Sequence, residues 1–197
     1  MTEINKTIAD RILSHSIEKQ AGMLAMLKKA INIESPSQIP NIQGPVFELF
    51  SESLESMGYH CRLLSGKSSG GQMLAIPSDR QRNIPQQLIL GHVDTVWPLG
   101  TLETMPVASR EGRLYGPGSY DMKAGLVQAV FAVQTLRDLE LDPPLTPIFF
   151  LNSDEEIGSH DSVVHIKRLA HVVNRTFVVE PSLGPKGKLK TQRKGSR

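Results

Sequence analysis

His92, Asp94, Asp121, Asp154, Glu155, Glu156 and Glu180 are the residues of this chain whose types and spacing can do chemistry together. They form a set rich in carboxylates with a single imidazole. Packed together without compensation, such carboxylates repel and raise one another's pKa. A pair of divalent cations resolves that conflict. Zinc accepts histidine nitrogen and carboxylate oxygen, and two metals about 3.5–4 Å apart can share a bridging carboxylate and a water. Such a pair polarises a carbonyl and acidifies the water that attacks it. A carboxylate beside a ligand can serve as the base that takes the water's proton.

The elements that must position these residues are legible as alternating segments. A helix is expected over Ile17–Ile33, with Met23, Leu24, Leu27 and Ile31 at helical spacing and a stop before Pro36. A second starts near Pro45, carries Leu49, Phe50, Leu54 and Met57, and ends at Gly58. Strands are expected at Tyr59–Leu64, Gln72–Ile76, Gln87–Gly91, Pro147–Leu151 and Thr176–Val179. Long and short helices are expected at Met122–Leu139 and Ser162–Ala170. Strands separated by helices imply an α/β fold, a largely parallel sheet covered on both faces. His92 and Asp94 follow one buried strand, Asp154–Glu156 a second and Glu180 a third, while Asp121 opens the long helix behind Gly116-Pro117-Gly118. In open α/β sheets ligands bind beyond the carboxyl ends of the strands, so these clusters converge on one edge.

Each piece has a plainer reading. His92 alone fits a satisfied loop histidine, Asp94 a turn former, and the acids at 154–156 a helix N-terminal cluster. The glycines fit a turn or a phosphate cradle, but GPGSYD puts Asp121 where an anion would meet a carboxylate. Repeated placement at strand ends is what these readings leave unexplained.

Composition sets the class. The chain has 197 residues and 21.7 kDa, 39% hydrophobic and 21% charged, as in ordinary globular proteins. No apolar run reaches the ~20 residues of a membrane span, and the polar N-terminus has no signal core. Cys61 is the only cysteine, which excludes a disulfide framework; a cytoplasmic location is expected. Residues 186–197 carry six basic residues and no acids. Removing them from the formal +2 leaves −4 for residues 1–185. No aromatic interleaves those charges, so neither nucleic acid nor a membrane is expected as partner.

GHVDTV, GPGSYDMKAG, NSDEEIGS and VVEPS, in this order and spacing, resemble the zinc metallopeptidase family of aminoacylase, glutamate carboxypeptidase, acetylornithine deacetylase and succinyl-diaminopimelate desuccinylase. The resemblance runs from about Ile31 to Gly195, and GHVDTVWPLGT looks nearest to the glutamate-carboxypeptidase-like branch. It implies hydrolysis of an amide bond in an N-acyl amino acid or peptide. It also implies roles: His92 and Glu180 bind one zinc, Asp121 bridges, Glu156 binds the second, Asp94 orients His92, and Glu155 is the general base.

Family members continue after a segment like LKTQRKG into a lid and dimerisation domain, then return to the catalytic sheet with a distal histidine. By that resemblance residues 1–185 are the N-terminal part of an incomplete zinc-peptidase catalytic domain, and 186–197 begin the lid. A complete family site holds two zincs; here one is expected, with cobalt or manganese as other ions that suit the ligands. The chain alone is expected to be weakly active or inactive, with an exposed strand edge. The competing expectation is a non-catalytic, single-metal remnant of the same fold.

Overall fold

The computed structural model describes residues 3–184 and 187–188. Apart from Gly187 and Lys188, the basic segment 186–197 and the expected lid boundary lie outside the described residues. Along the chain run α1 (Glu3–Glu18), α2 (Gln20–Asn32), α3 (Gly44–Glu55), β1 (Tyr59–Leu64), β2 (Gln72–Pro77) and β3 (Gln86–His92). There follow α4 (Thr101–Thr104), β4 (Ala108–Arg110), β5 (Arg113–Tyr115) and α5 (Ala124–Asp138). β6 (Thr146–Asn152), α6 (Val163–Ala170) and β7 (Arg175–Val178) complete the described elements.

Five strands form one sheet in the order β1-β2-β6-β3-β7, and β4 pairs with β5 in a separate hairpin. β3 runs parallel to both β6 and β7, while β2 runs against β1 and β6. The sheet is therefore mixed, with β2 alone reversed. The loop 65–71 is too short for a crossover and can only join antiparallel neighbours. β3 and β6 are buried almost throughout because helices cover both faces. On one face Ile89, Phe149 and Leu151 pack with Phe47, Phe50 and Leu54 of α3 and Leu126, Val130 and Val133 of α5. On the other, Leu88, Ile148 and Phe150 meet Ile166 and Leu169 of α6.

Two helical expectations need correction. The helix expected over Ile17–Ile33 is two helices that meet at Lys19. α1 carries little core signal: Leu13 and Ile17 stay exposed, and polar bonds anchor it to the end of α5. His15 and Lys19 reach the Asp138 carboxylate at 3.0 and 2.9 Å, and Arg11 donates to the Leu139 carbonyl at 3.2 Å. The long helix starts at Ala124 rather than Met122 because residues 119–123 make a distorted turn, with Asp121 extended (φ −114°, ψ 106°) and a cis peptide to Met122. Among the described residues no helix is long and apolar enough to cross a membrane.

One carboxylate gathers three consecutive residues of loop 65–71. Asp161 Oδ2 accepts the N–H groups of Lys67, Ser68 and Ser69 at 2.7, 2.7 and 3.0 Å and the Ser69 hydroxyl at 2.9 Å. These hydrogen bonds, led by the one from Ser68, lower its pKa from 3.8 to about 2. A carboxyl whose pKa falls on folding stabilises the fold above its unfolded value and loses that contribution as pH falls through the folded one. Asp161→Asn is thus expected to be less stable than the parent above pH 3.8, with the gap closing as pH drops to about 2. Urea denaturation of both proteins across that range measures it; a gap independent of pH contradicts it.

Candidate metal centre

The parallel register brings three strand ends to one edge. His92 pairs with Asn152, and Leu90 with Val178, so β3, β6 and β7 finish side by side. Asp94, the turn Asp154–Glu156 and Glu180 all leave from this edge, and Asp121 reaches it from the turn before α5.

His92 is the buried centre, 1% exposed. Its Nδ1 lies 2.9 Å from the backbone carbonyl of Asp94. A carbonyl only accepts, so Nδ1 carries the hydrogen and Nε2 faces outward. Nε2 lies 3.3 Å from Asp121 Oδ1, 3.6 Å from Glu180 Oε1 and 3.9 Å from Glu155 Oε2. Burial disfavours an imidazolium here, but hydrogen bonds with Asp121, Asp94 and Glu180 outweigh it and push the pKa up to about 12. Three carboxylates and a ring nitrogen can share this space only around positive charge, either a proton on Nε2 or a cation. The ligand atoms of His92, Asp121 and Glu180 lie within 4.8 Å of one another, and mixed imidazole and carboxylate donors suit zinc. On donor chemistry the residues fit a divalent ion.

Asp94, fully buried, joins the two halves of the centre. Its Oδ2 accepts the Ser37 hydroxyl at 2.7 Å and the Glu156 N–H at 3.2 Å. Its Oδ1 accepts the Glu155 N–H at 3.3 Å and stands 3.4 Å from His92 Nδ1. One carboxylate thus fixes the ring and the acidic turn. Ser37 was not among the sequence candidates. It is brought in by the bridge between Pro36 and Thr95 and by its own N–H bond to the Thr95 carbonyl at 3.1 Å.

The three acids after β6 take different places. Asp154 is buried and turned into the protein, accepting from the N–H groups of Asp161 (2.7 Å) and Ser162 (3.1 Å) and from Asn152 Nδ2 (3.2 Å). Glu155 and Glu156 sit in a single 3-10 turn closed by Gly158 in the left-handed region. Glu156 lies beside the compact triad rather than in it. Burial first, then Asp121, Glu155 and Asp94 against the opposing charge of His92, push its carboxyl up to about 7.

Glu180 depends on close packing. The Val179 N–H donates to Leu90 O at 3.1 Å, extending β7, and Tyr120 Oη donates to the Ser182 carbonyl at 3.3 Å. At Gly125 a methyl group would collide with the Val179 carbonyl, so glycine lets α5 approach the segment carrying Glu180. Lys123, in the same turn as Asp121, plays no part in the site. Its buried Nζ caps α2, donating to the carbonyls of Ala30 at 2.9 Å and Ile33 at 2.7 Å.

The model for peptidase family M20/M25/M40 matches residues 88–192. Succinyl-diaminopimelate desuccinylase of Caulobacter sp. (strain K31) is 28% identical over 162 residues, covering 76% of this chain and 39% of that protein. Carboxypeptidase G2 of Pseudomonas sp. (strain RS-16) is 24% identical over 168 residues, covering 84% and 40%. The crystal structure of human carnosine dipeptidase 1 superposes with a TM-score of 0.75 at 19% identity, over 88% of this chain and 41% of that one. That last likeness concerns the fold alone. The chain spans about two fifths of the length of these curated relatives.

Proposed function

Because the chain belongs to peptidase family M20/M25/M40, we propose that it carries a divalent-metal centre for hydrolysing an amide bond in a small peptide or N-acyl amino acid. The observation that carries this reading is the convergence of His92, Asp121 and Glu180 within 4.8 Å at the carboxyl edge of the sheet. His92, Asp121 and Glu180 would hold one ion, and Asp121 with Glu156 would hold a second. Zinc is the ion these donors suit, and cobalt or manganese would also be accepted. When bound, such ions supply Lewis acidity toward the substrate carbonyl and the attacking water.

The chain's own residues do the rest. Asp94 keeps Nδ1 of His92 turned to the backbone, so the Nε2 lone pair stays available. Glu155, fixed through its N–H by Asp94 and 3.9 Å from Nε2, takes the water's proton and passes it to the leaving nitrogen. Residues 1–185 are assigned to the catalytic domain and 186–197 to the approach to a lid. Among the described residues the compact triad supplies three donors to one ion, so that ion is the one expected to be held most firmly.

Metal-free protein reloaded with zinc is expected to retain about one ion per chain by elemental analysis. Asp121→Ala should lose it, whereas Glu155→Gln should keep it and lose any hydrolysis of N-acetyl amino acids. Parent protein that holds no specific zinc would overturn the reading.

A further inference from the structure

Beside the metal centre, the loop after β3 forms one wall of a cleft of about 280 Å³, lined in part by Ile39, Val96, Trp97, Leu99, Glu156 and Ile157. Small-molecule sites run to roughly 300–1,000 Å³, so this cleft has room for one side chain rather than a whole ligand. Val96, Trp97 and Leu99 are 66%, 38% and 55% exposed. Apolar groups clustered in water beside a polar centre mark a binding surface. The loop is held in place: the Glu34 carboxylate accepts the N–H groups of Gly100 at 3.0 Å and Leu102 at 3.2 Å. The facing wall is tied through Pro36 and Ser37 to Thr95. The cleft is therefore formed before anything binds.

Its charge is as informative as its shape. Among the described residues of the lining Glu156 is the one ionisable group, and none is a lysine, arginine or histidine. Ser37 and Glu156, both in the lining, bond the Asp94 carboxylate that stands 3.4 Å from His92 Nδ1, so the cleft adjoins the metal centre. An acidic side chain entering it would be desolvated with no basic side chain of the described lining to receive it. A larger cavity of about 480 Å³, lined by Tyr59, Arg80, Arg137 and Pro147, lies at the other end of the sheet and has no such connection.

We propose that this cleft is the subsite for an uncharged apolar side chain on the substrate residue next to the scissile bond, with Trp97 and Leu99 selecting it over an acidic one. The inference rests on the hydrolase reading above and adds the substrate class. Trp97 is the chain's only tryptophan, so its fluorescence reports occupancy directly.

The test uses the full chain, zinc-loaded and carrying Glu155→Gln to prevent turnover. N-acetyl-L-leucine is expected to shift Trp97 emission saturably, with a Kd at least about tenfold below that of N-acetyl-L-glutamate. Adding Leu99→Asp should raise the Kd for the leucine derivative about tenfold and abolish the preference, with zinc content unchanged. Leu99→Ala should weaken it less. Equal affinity for both compounds, or leucine binding indifferent to Leu99→Asp, overturns the subsite. Emission that neither compound changes overturns it too. Repeating the titration on metal-free protein keeps the two readings apart. Absent zinc with intact leucine selectivity condemns the metal centre alone, and firm zinc without selectivity condemns the subsite alone.

Discussion

Replacing Asp94 with alanine is expected to weaken zinc binding by roughly 10–100-fold and to cost about 4 kcal/mol of stability. The change strips the partner from three donors: the Ser37 hydroxyl and the N–H groups of Glu155 and Glu156. The hydroxyl can rotate to the Thr95 carbonyl, 3.2 Å away, and be satisfied there. The two partly buried backbone N–H groups have no such freedom, and each donor orphaned away from water costs ~1–3 kcal/mol. Asp94→Asn should fall between. With its amide nitrogen on the Ser37 side, the hydroxyl relays to Thr95 and only the Glu156 N–H stays opposed, at a cost of about 2 kcal/mol. Denaturant titration of metal-free protein and zinc competition with a chelator read the two effects separately. Asp94→Ala with parental zinc affinity would show that His92 is positioned without it.

The second large effect belongs to Gly125→Ala, which should destroy zinc retention and destabilise the protein by about 3 kcal/mol. The added methyl meets the Val179 carbonyl, which is backbone on the far side, and the start of α5 is backbone on the near side. Neither can yield by a rotamer change, so helix and strand end must separate. Glu180 then leaves the triad it forms with His92 and Asp121. Gly22→Ala is the control. There the methyl meets only the Phe131 ring at 3.3 Å, a side chain that can yield, and zinc retention should stay parental. Elemental analysis of the two variants side by side decides it; zinc retained by Gly125→Ala would remove the packing role assigned to that glycine.

What the sequence revealed, and what it hid, divides along the reach of each interaction. Tyr59–Leu64 is found to the residue because strand identity is local: a short run bounded by Gly58 and a glycine-rich loop. The acids and His92 are found because they follow such runs directly. Ser37 is hidden because its partner Asp94 lies 57 residues away and no spacing rule connects them. Lys123 is hidden in the same way: it is buried and caps a helix 90 and 93 residues earlier in the chain. α1 is missed as a separate element because polar bonds to Asp138 and Leu139 hold it, rather than an apolar stripe. The reversal of β2 within the largely parallel sheet that the alternating helices and strands imply follows from its short loop to β1. Asp154 shows the limit from the other side. It has the right type in the right cluster, and its hydrogen bonds turn it inward.

Glu180 is delivered by β7, the least buried strand of the sheet. All four of its residues are exposed, and among the described residues it pairs only with β3. Elements with few buried contacts are those that open locally at a small fraction of the global unfolding free energy. The amides of 175–178 should therefore exchange with solvent deuterium sooner than those of β3 and β6. A ligand that requires Glu180 in place gives up part of its intrinsic affinity to hold that strand closed, and slows its exchange by the factor 1 + [L]/Kd. On this fold, the order of an edge strand and the occupancy of the centre beside it are two readings of one equilibrium.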